Sequence, residues 1–491
     1  MGPVYRLIVL FFYFSSCTKQ SKIPEEIILA EVGSSVITTQ DFIRRSEYTI
    51  RPDYCRQDNY IHKKIILNSL ISEKLTAMEY DKNKDNVPDE NLESFLRGRR
   101  EQAMRQVYYF EEFHSKVNLT EKELEDAYKF SGRKVKVQFL NLPSLEIAYK
   151  IKKLDSADVP LDSIHNILWS GNAPTKEIDW FNRELDEIHD SLFSNNIFKG
   201  RMLGPFKTED DAYILMKVKG WVDNVKITEY DKNFLWKDIK ERLTEKKAKQ
   251  AYLKKVKYLM TGKKMKLNSD IFYQYAEQAA DYFFKIDASK KKMLNQVLWN
   301  DQEIYGDVVE FDLEGNNIDP GSIILNYDGK PWTVEELNHQ LKSHPFVFRK
   351  RKMNRSEFPE QLRLAIADLI RDMEITRECY KKGIDKNWSV SLNYSMWQDV
   401  SKSKKYVSSL REENKQIKKQ EGWLAFMNPK VDSLQHIYSD LIKINMDAFE
   451  KIKLTNTDMM VNQRGVPYPI LVPAFPILTS DNRLDYGSRI D

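Results

Sequence analysis

Apolar residues recur along this chain with two periods, and the switches between them divide it. Residues 28–45, ILAEVGSSVITTQDFIRR, read as a short strand, a Gly-Ser turn, a second strand and a helix start, with Thr38 or Thr39 able to cap the helix and Asp41 in its first turn. Helical spacing follows in Ile61, Ile65, Ile66, Leu70, Ile71, Leu75 and Met78. Pro88 opens a further helix with Leu92, Phe95, Leu96, Met104, Val107 and Tyr108 on its apolar side, and Thr120-Glu-Lys-Glu123 has the capping-box pattern. Residues 28–130 are therefore expected to form a helical module.

The period changes at Arg133. KVKVQFLNL (134–142) alternates as a strand, LEIAYKIKKL reads as a helix, DWF (179–181) as a short strand and ELDEIHDSLF as a short helix. GPFKT and AYILMKVKGW give a hairpin joined by the polar turn EDD. Residues 133–222 are thus a compact α/β module, and at 228–262 the helical stripe returns through Phe234, Leu235, Ile239, Leu243, Tyr252, Val256 and Leu259. The module interrupts a helical body.

A second half, residues 321–390, echoes the first. Thr333-Val-Glu-Glu-Leu337 matches Thr38-Thr-Gln-Asp-Phe42, and further on Leu369-Ile370 lies over Leu70-Ile71 and Glu378 over Glu79. Chance periodicity aligns any two helices, but turn, cap and helix in one order favour an internal duplication. Residues 391–491 read as a helical region and a tail, PYPILVPAFPIL, whose prolines predict an extended segment docked on a groove or partner.

The first seventeen residues, MGPVYRLIVLFFYFSSC, have one cation, an apolar run from Leu7 to Phe14, then Ser15, Ser16 and Cys17, the layout of an export signal. The run is shorter than the roughly 20 residues that span a bilayer as a helix. Small residues before Cys17 resemble a bacterial lipobox, in which the Cys becomes the lipidated first residue; a plain secretory signal with an incidental Cys is the other reading. Lipidation at Cys17 implies a periplasm-facing lipoprotein of the bacterial cell envelope, and Thr18 in place of Asp points to the outer membrane. Cys55 and Cys379 could pair in an oxidising compartment or remain buried thiols.

At 491 residues the chain exceeds one ordinary core, and 41% hydrophobic residues with 31% charged describe a helix-rich folded body. The net charge of +4, from 77 basic and 73 acidic residues intermixed, gives no nucleic-acid footprint. Basic runs such as KKAK, KKVK and FRKRK read as solvated helix faces. No GxSxG, HExxH, Gly-rich phosphate loop or Cys cluster is present, so no metal or cofactor is expected. The seven His share no ligand spacing, and most of them read as surface or loop residues.

The order of pieces, with LNSLISEKL (67–75), VNLTEKELEDAY before a strand, Trp180-Phe181 and GPFKT before AYILMKV, resembles the periplasmic foldases of the SurA and PrsA type. The resemblance covers about residues 28–262, with an echo at 321–390. It implies an α+β multidomain protein: a helical chaperone body, an inserted parvulin-like peptidyl-prolyl isomerase domain and a second, mostly helical, chaperone-like half. The family's pocket carries a His on the first strand and another on the last; here Phe139 and Ile214 stand at those places. The remaining pocket positions fall near Leu185, Ile188 and Phe193. The resemblance therefore implies a lipid-anchored chaperone for unfolded or nascent envelope proteins with weak or no isomerase activity. An active isomerase and a structural lipoprotein subunit of an envelope assembly are the alternatives.

Overall fold

The first hairpin, β1 (Ile28–Val32) and β2 (Ser35–Thr38), leads into helix α1 (Thr39–Glu47) through a capping box in which Thr38 Oγ1 accepts the Asp41 amide at 3.0 Å and the Asp41 carboxylate accepts the Thr38 amide at 3.3 Å. A computed structural model of the chain describes residues 26–82, 89–182, 184–208, 212–224, 228–300, 318–350, 353–417, 419–455 and 467–490, and the side chains of all these except 286–300. The fold is mixed α+β, with several small sheets among long helices.

Helix α2 (Tyr60–Lys82) departs from the one-sided stripe its apolar residues predict: every residue from Ile65 to Ala77 is buried. Six of these are polar or charged, and each needs a partner because an unmet buried polar group costs about 1–3 kcal/mol. Helix α3 (Glu90–Tyr109) starts under an Asp89 cap, and α4 (Glu121–Ser131) under the Thr120–Glu123 capping box. Pro88 lies outside the described residues.

The module follows as β3 (Arg133–Leu142), α5 (Leu145–Ser156), α6 (Leu161–Trp169), β4 (Thr175–Asp179), α7 (Asp186–Leu192), β5 (Met202–Lys207) and β6 (Tyr213–Asp223). Trp180-Phe181, expected in a strand, lie in the turn just after β4. Helix α8 (Glu229–Met260) runs back beside α4, and Ala248 and Tyr252 on it join a cluster with α3.

Next come β7 (Met265–Leu267), α9 (Ser269–Asn300), β8 (Ile323–Tyr327), β9 (Lys330–Thr333), α10 (Val334–Ser343) and α11 (Phe358–Lys381). The chain ends with α12 (Trp388–Glu413), α13 (Gln420–Ile437), β10 (Ile442–Ile444), α14 (Met446–Lys451) and β11 (Ser488–Arg489). This last stretch, left without a role by sequence, completes the first unit. β10 pairs with β1 to give the sheet order β11-β10-β1-β2, and α12 lies along α2 and α3.

The tail is extended, as its prolines predict, and its groove is the chain's own first unit. Backbone carbonyls of Ala474, Thr479, Asp481 and Arg483 accept hydrogen bonds from Arg45, Ser69 and Asn68, and the Tyr486 hydroxyl donates to Asn68. Further partners for α2 come from α12, where Asp399 pairs with Lys74 at 2.8 Å and Ser403 bonds Thr76 at 2.7 Å. Tyr468 joins three helices: its hydroxyl lies 2.9 Å from that of Tyr252 on α8 and donates to Asp372 on α11 at 3.0 Å, under the Arg105 guanidinium of α3.

The two units share one plan. Each hairpin has a bulge at its start, between Ile28 and Ala30 in one and Ile323 and Leu325 in the other, and each ends in a Thr capping box. Each accepts a third antiparallel strand, β10 or β7, through equivalent bonds: Gly33 N–H to Leu441 O and Asp328 N–H to Lys264 O, both 2.9 Å. Both third strands continue as Asn-x-Asp-x-Phe, at 445–449 and 268–272, with Phe449 and Phe272 buried. The second unit thus begins at β7, before the hairpin that sequence periodicity singles out.

Gly98 on α3 touches the end of α10 so closely that a Cβ there would sit 1.8 Å from the Ser343 carbonyl oxygen. Backbone cannot yield as a side chain tip can, so Gly98→Ala is expected to push the two units apart and cost about 2–4 kcal/mol, in the range of severe overpacking. Chemical denaturation of the purified variant checks this; an unchanged midpoint would show that the helices slide freely. No disulfide joins Cys55, in the first unit's core, to Cys379, in the cluster of α3, α8 and α11. Burial pushes the Cys379 thiol up to about 12.

Candidate functional site

The module's sheet has the order β4-β3-β6-β5, all antiparallel, and buries both faces. Alternation along β3 and β6 sends Val135, Val137, Phe139, Ile214, Met216 and Val218 to one side and Leu140, Leu142, Tyr213 and Leu215 to the other. The second side is covered by Ala148 and Ile151 of α5 and Leu161 and Ile164 of α6. The first receives Ile188 and Leu192 of α7 and also Leu235 and Ile239 of α8, so the arm helix is part of the module's core.

The Gly-Pro corner sits inside β5, at a register shift between Leu203 and Phe206. Gly204 has φ +93° and a Cβ there would meet the Ile214 carbonyl oxygen at 2.5 Å, so only glycine lets β5 lie against β6 at this point. Thr208 and Ala212 close the hairpin through a backbone bond of 2.8 Å. The EDD turn between them lies outside the described residues.

All five pocket positions meet in one cluster. Ile188 is 0% exposed and Phe193 7%, while Phe139, Leu185 and Ile214 are half-buried at its margin. Phe139 and Ile214 face the same side of adjacent strands with no proton donor or acceptor in either side chain. The Trp180-Phe181 turn locks onto α8: the Trp180 indole donates to Asp238 at 2.8 Å, Arg242 donates to the Trp180 carbonyl at 3.4 Å, and the Phe181 ring lies 5.5 Å from that of Phe234.

His189 is not one of the surface or loop residues expected of most of the histidines, since it is buried. Its ring is wedged 4.6 Å from Trp180 and 4.5 Å from Phe193, with Nε2 3.3 Å from the Trp180 carbonyl oxygen. Burial first, and the Arg242 charge second, lower it to about 3. The signal was present, since Leu185, Ile188, His189 and Leu192 recur at helical spacing and place the His on the buried stripe. At pH 7 the group is neutral and too weak a base to take up a proton.

A consequence for stability follows from that lowering. An unfolded His takes a proton near pH 6.5 and the folded one near 3, so between these values the unfolded state binds more protons and stability falls as pH falls. The slope approaches at most about 1.4 kcal/mol per pH unit. Replacing the imidazole by a neutral ring in His189→Phe is expected to flatten the module's stability between pH 6 and 4, measured by denaturant titration. An unaltered slope would mean that His189 does not carry the acid sensitivity.

No family model and no curated protein matches this chain. Among the described residues no group of three or more His, Cys, Asp and Glu is placed to hold a metal ion, and no helix is long and apolar enough to cross a membrane. Cys17 lies outside the described residues.

Proposed function

We propose that this protein is an envelope chaperone, tethered by lipid at Cys17, that binds unfolded client polypeptides and has lost efficient prolyl isomerisation. The observation that carries this reading is the apolar margin at Phe139 and Ile214, the two places where the resemblance to parvulin-like domains implies a His pair. Half-buried apolar side chains there offer grip to extended, sequence-diverse segments. They offer nothing to polarise or orient an amide. Rotation about an X-Pro bond needs no covalent step but faces a barrier of roughly 18–20 kcal/mol, and its catalysis depends on groups that favour the twisted form.

Two further features support a chaperone. The module is mounted on α4 and α8 and carries exposed aromatic side chains close by, Phe234 at 56% and Tyr230 at 79%. The body that bears it repeats one strand-hairpin-helix unit, which provides two surfaces of related shape. A body of this kind suits holding a long chain at several points.

The test is suppression of aggregation of a denatured model protein by the purified chain. Wild type is expected to suppress it, and Ile214→Glu, which puts a charge at the half-buried margin without opening the core, to weaken suppression several-fold. Equal suppression by both, with circular dichroism unchanged, would remove the margin from the binding surface. No suppression at all, with copurification of one partner at fixed stoichiometry, would make the protein a structural subunit of an assembly. Membrane fractionation that is unchanged in Cys17→Ser would remove the lipid tether.

A further inference from the structure

Among the described residues the two units differ at one edge. In the first, β11 runs parallel to β10 on its outer side, with Lys443 opposite Ser488, Ile444 opposite Arg489, and the Ile490 amide donating to the Ile444 carbonyl at 3.1 Å. Ile442 and Ile444 are 0% and 3% exposed. In the second unit, β7 is the outermost strand among the described residues, and its Met265 and Leu267, the counterparts of that pair, are only half-buried. The bonds to β8 come from Lys264 and Asn268, so antiparallel alternation turns the backbone groups of Met265 and Leu267 outward. Such an edge is a template for another strand.

We propose that this edge is the docking site of the chain's own residues Tyr305–Glu310, which lie outside the described residues. Three observations select this occupant. Tyr305-Gly306-Asp307-Val308-Val309-Glu310 repeats Tyr486-Gly487-Ser488-Arg489-Ile490-Asp491 in the Tyr-Gly pair, the aliphatic residue and the acid that follows. It occupies the same place in its unit, after the third strand and the Asn-x-Asp-x-Phe helix. Gly487 has φ +75°, and a Cβ there would lie 2.8 Å from the Ile442 carbonyl oxygen, so a glycine at this place is a requirement of the docking geometry that Gly306 also meets. Finally, β7 presents exposed Lys264 and Lys266, and the sequence from 307 to 314 carries Asp307, Glu310, Asp312 and Glu314.

The equivalence fixes a register: Lys266 opposite Asp307, Leu267 opposite Val308, and the Val309 amide on the Leu267 carbonyl. Disulfide trapping in the full chain tests it. Lys266→Cys with Asp307→Cys is expected to form an intramolecular cross-link under mild oxidation, identified by mass spectrometry, at least tenfold faster than a control pair, Lys330→Cys with Asp307→Cys, which uses the far edge of the same sheet. Equal rates in the two pairs, or a cross-link formed only between chains, would overturn the assignment. Hydrogen exchange is the second measurement. Val309→Pro removes the donor and is expected to speed exchange in the peptide covering 263–268 at least tenfold. Unchanged exchange would overturn the proposal, as would wild-type protection that appears only when a denatured client is added.

Discussion

Truncation after residue 466 is expected to abolish cooperative unfolding of the first unit, although no residue of β1, β2 or α2 is touched. The reason lies in α2. A helix buried on every side cannot satisfy Asn68, Ser69 and the Arg45 that packs beside it from water, and four backbone carbonyls of residues 474–483 do so instead. Losing these partners costs about 1–3 kcal/mol for each group left buried alone. Phe475, Leu478 and Tyr486, all at 6% exposure or less, add about 1.5–3 kcal/mol each. The total reaches the roughly 5–15 kcal/mol by which whole domains are stable. The module's core is built from residues 124–243 and is expected to keep its own transition, so calorimetry should show one transition lost and one retained. Addition of a peptide of residues 467–490 is expected to restore the first. A truncated chain that melts as the full one does would make the tail peripheral.

Glu73→Ala is expected to be the most costly single substitution in α2. Arg45 and Glu73 form a two-pronged pair at 3.0 and 2.8 Å, with side chains 2% and 3% exposed. Removing the carboxylate leaves a guanidinium in the core with one carbonyl for company, and breaking buried pairs this way costs about 3–5 kcal/mol. The pair itself is a different matter, since its attraction largely repays desolvation of both charges. Arg45→Met with Glu73→Leu is therefore expected to recover most of the loss. Denaturant midpoints of the single and double variants decide this, and additive losses would mean that the two charges act independently of each other.

Local signals in the sequence carried much of this fold. Thr38, Thr120 and Thr333 each announce a helix because a capping box is complete within four residues. Most of the order of strands and helices from 133 to 222 was legible for the same reason, as alternation and helical spacing are both short-range, but α6 was not expected and β4 ends where the DWF strand was expected to begin. What stayed hidden depends on distant partners. The polar face of α2 reads as solvent-facing until residues some four hundred positions away supply its bonds. Ile442-Lys443-Ile444 is too short to announce a strand, and only its pairing with β1 makes it one. The five positions named from the resemblance share one apolar cluster, but their burial was not legible: Ile188 and Phe193 lie in its core and only Phe139, Leu185 and Ile214 reach its margin.

We propose that this margin binds without catalysing. A protease-coupled assay of proline isomerisation in a short peptide, with purified protein at a concentration that suppresses aggregation, tests it most directly. The expected result is the uncatalysed rate, unchanged by Leu185→Ala or Phe193→Ala. Acceleration that disappears in those two variants would contradict it and make the protein an isomerase.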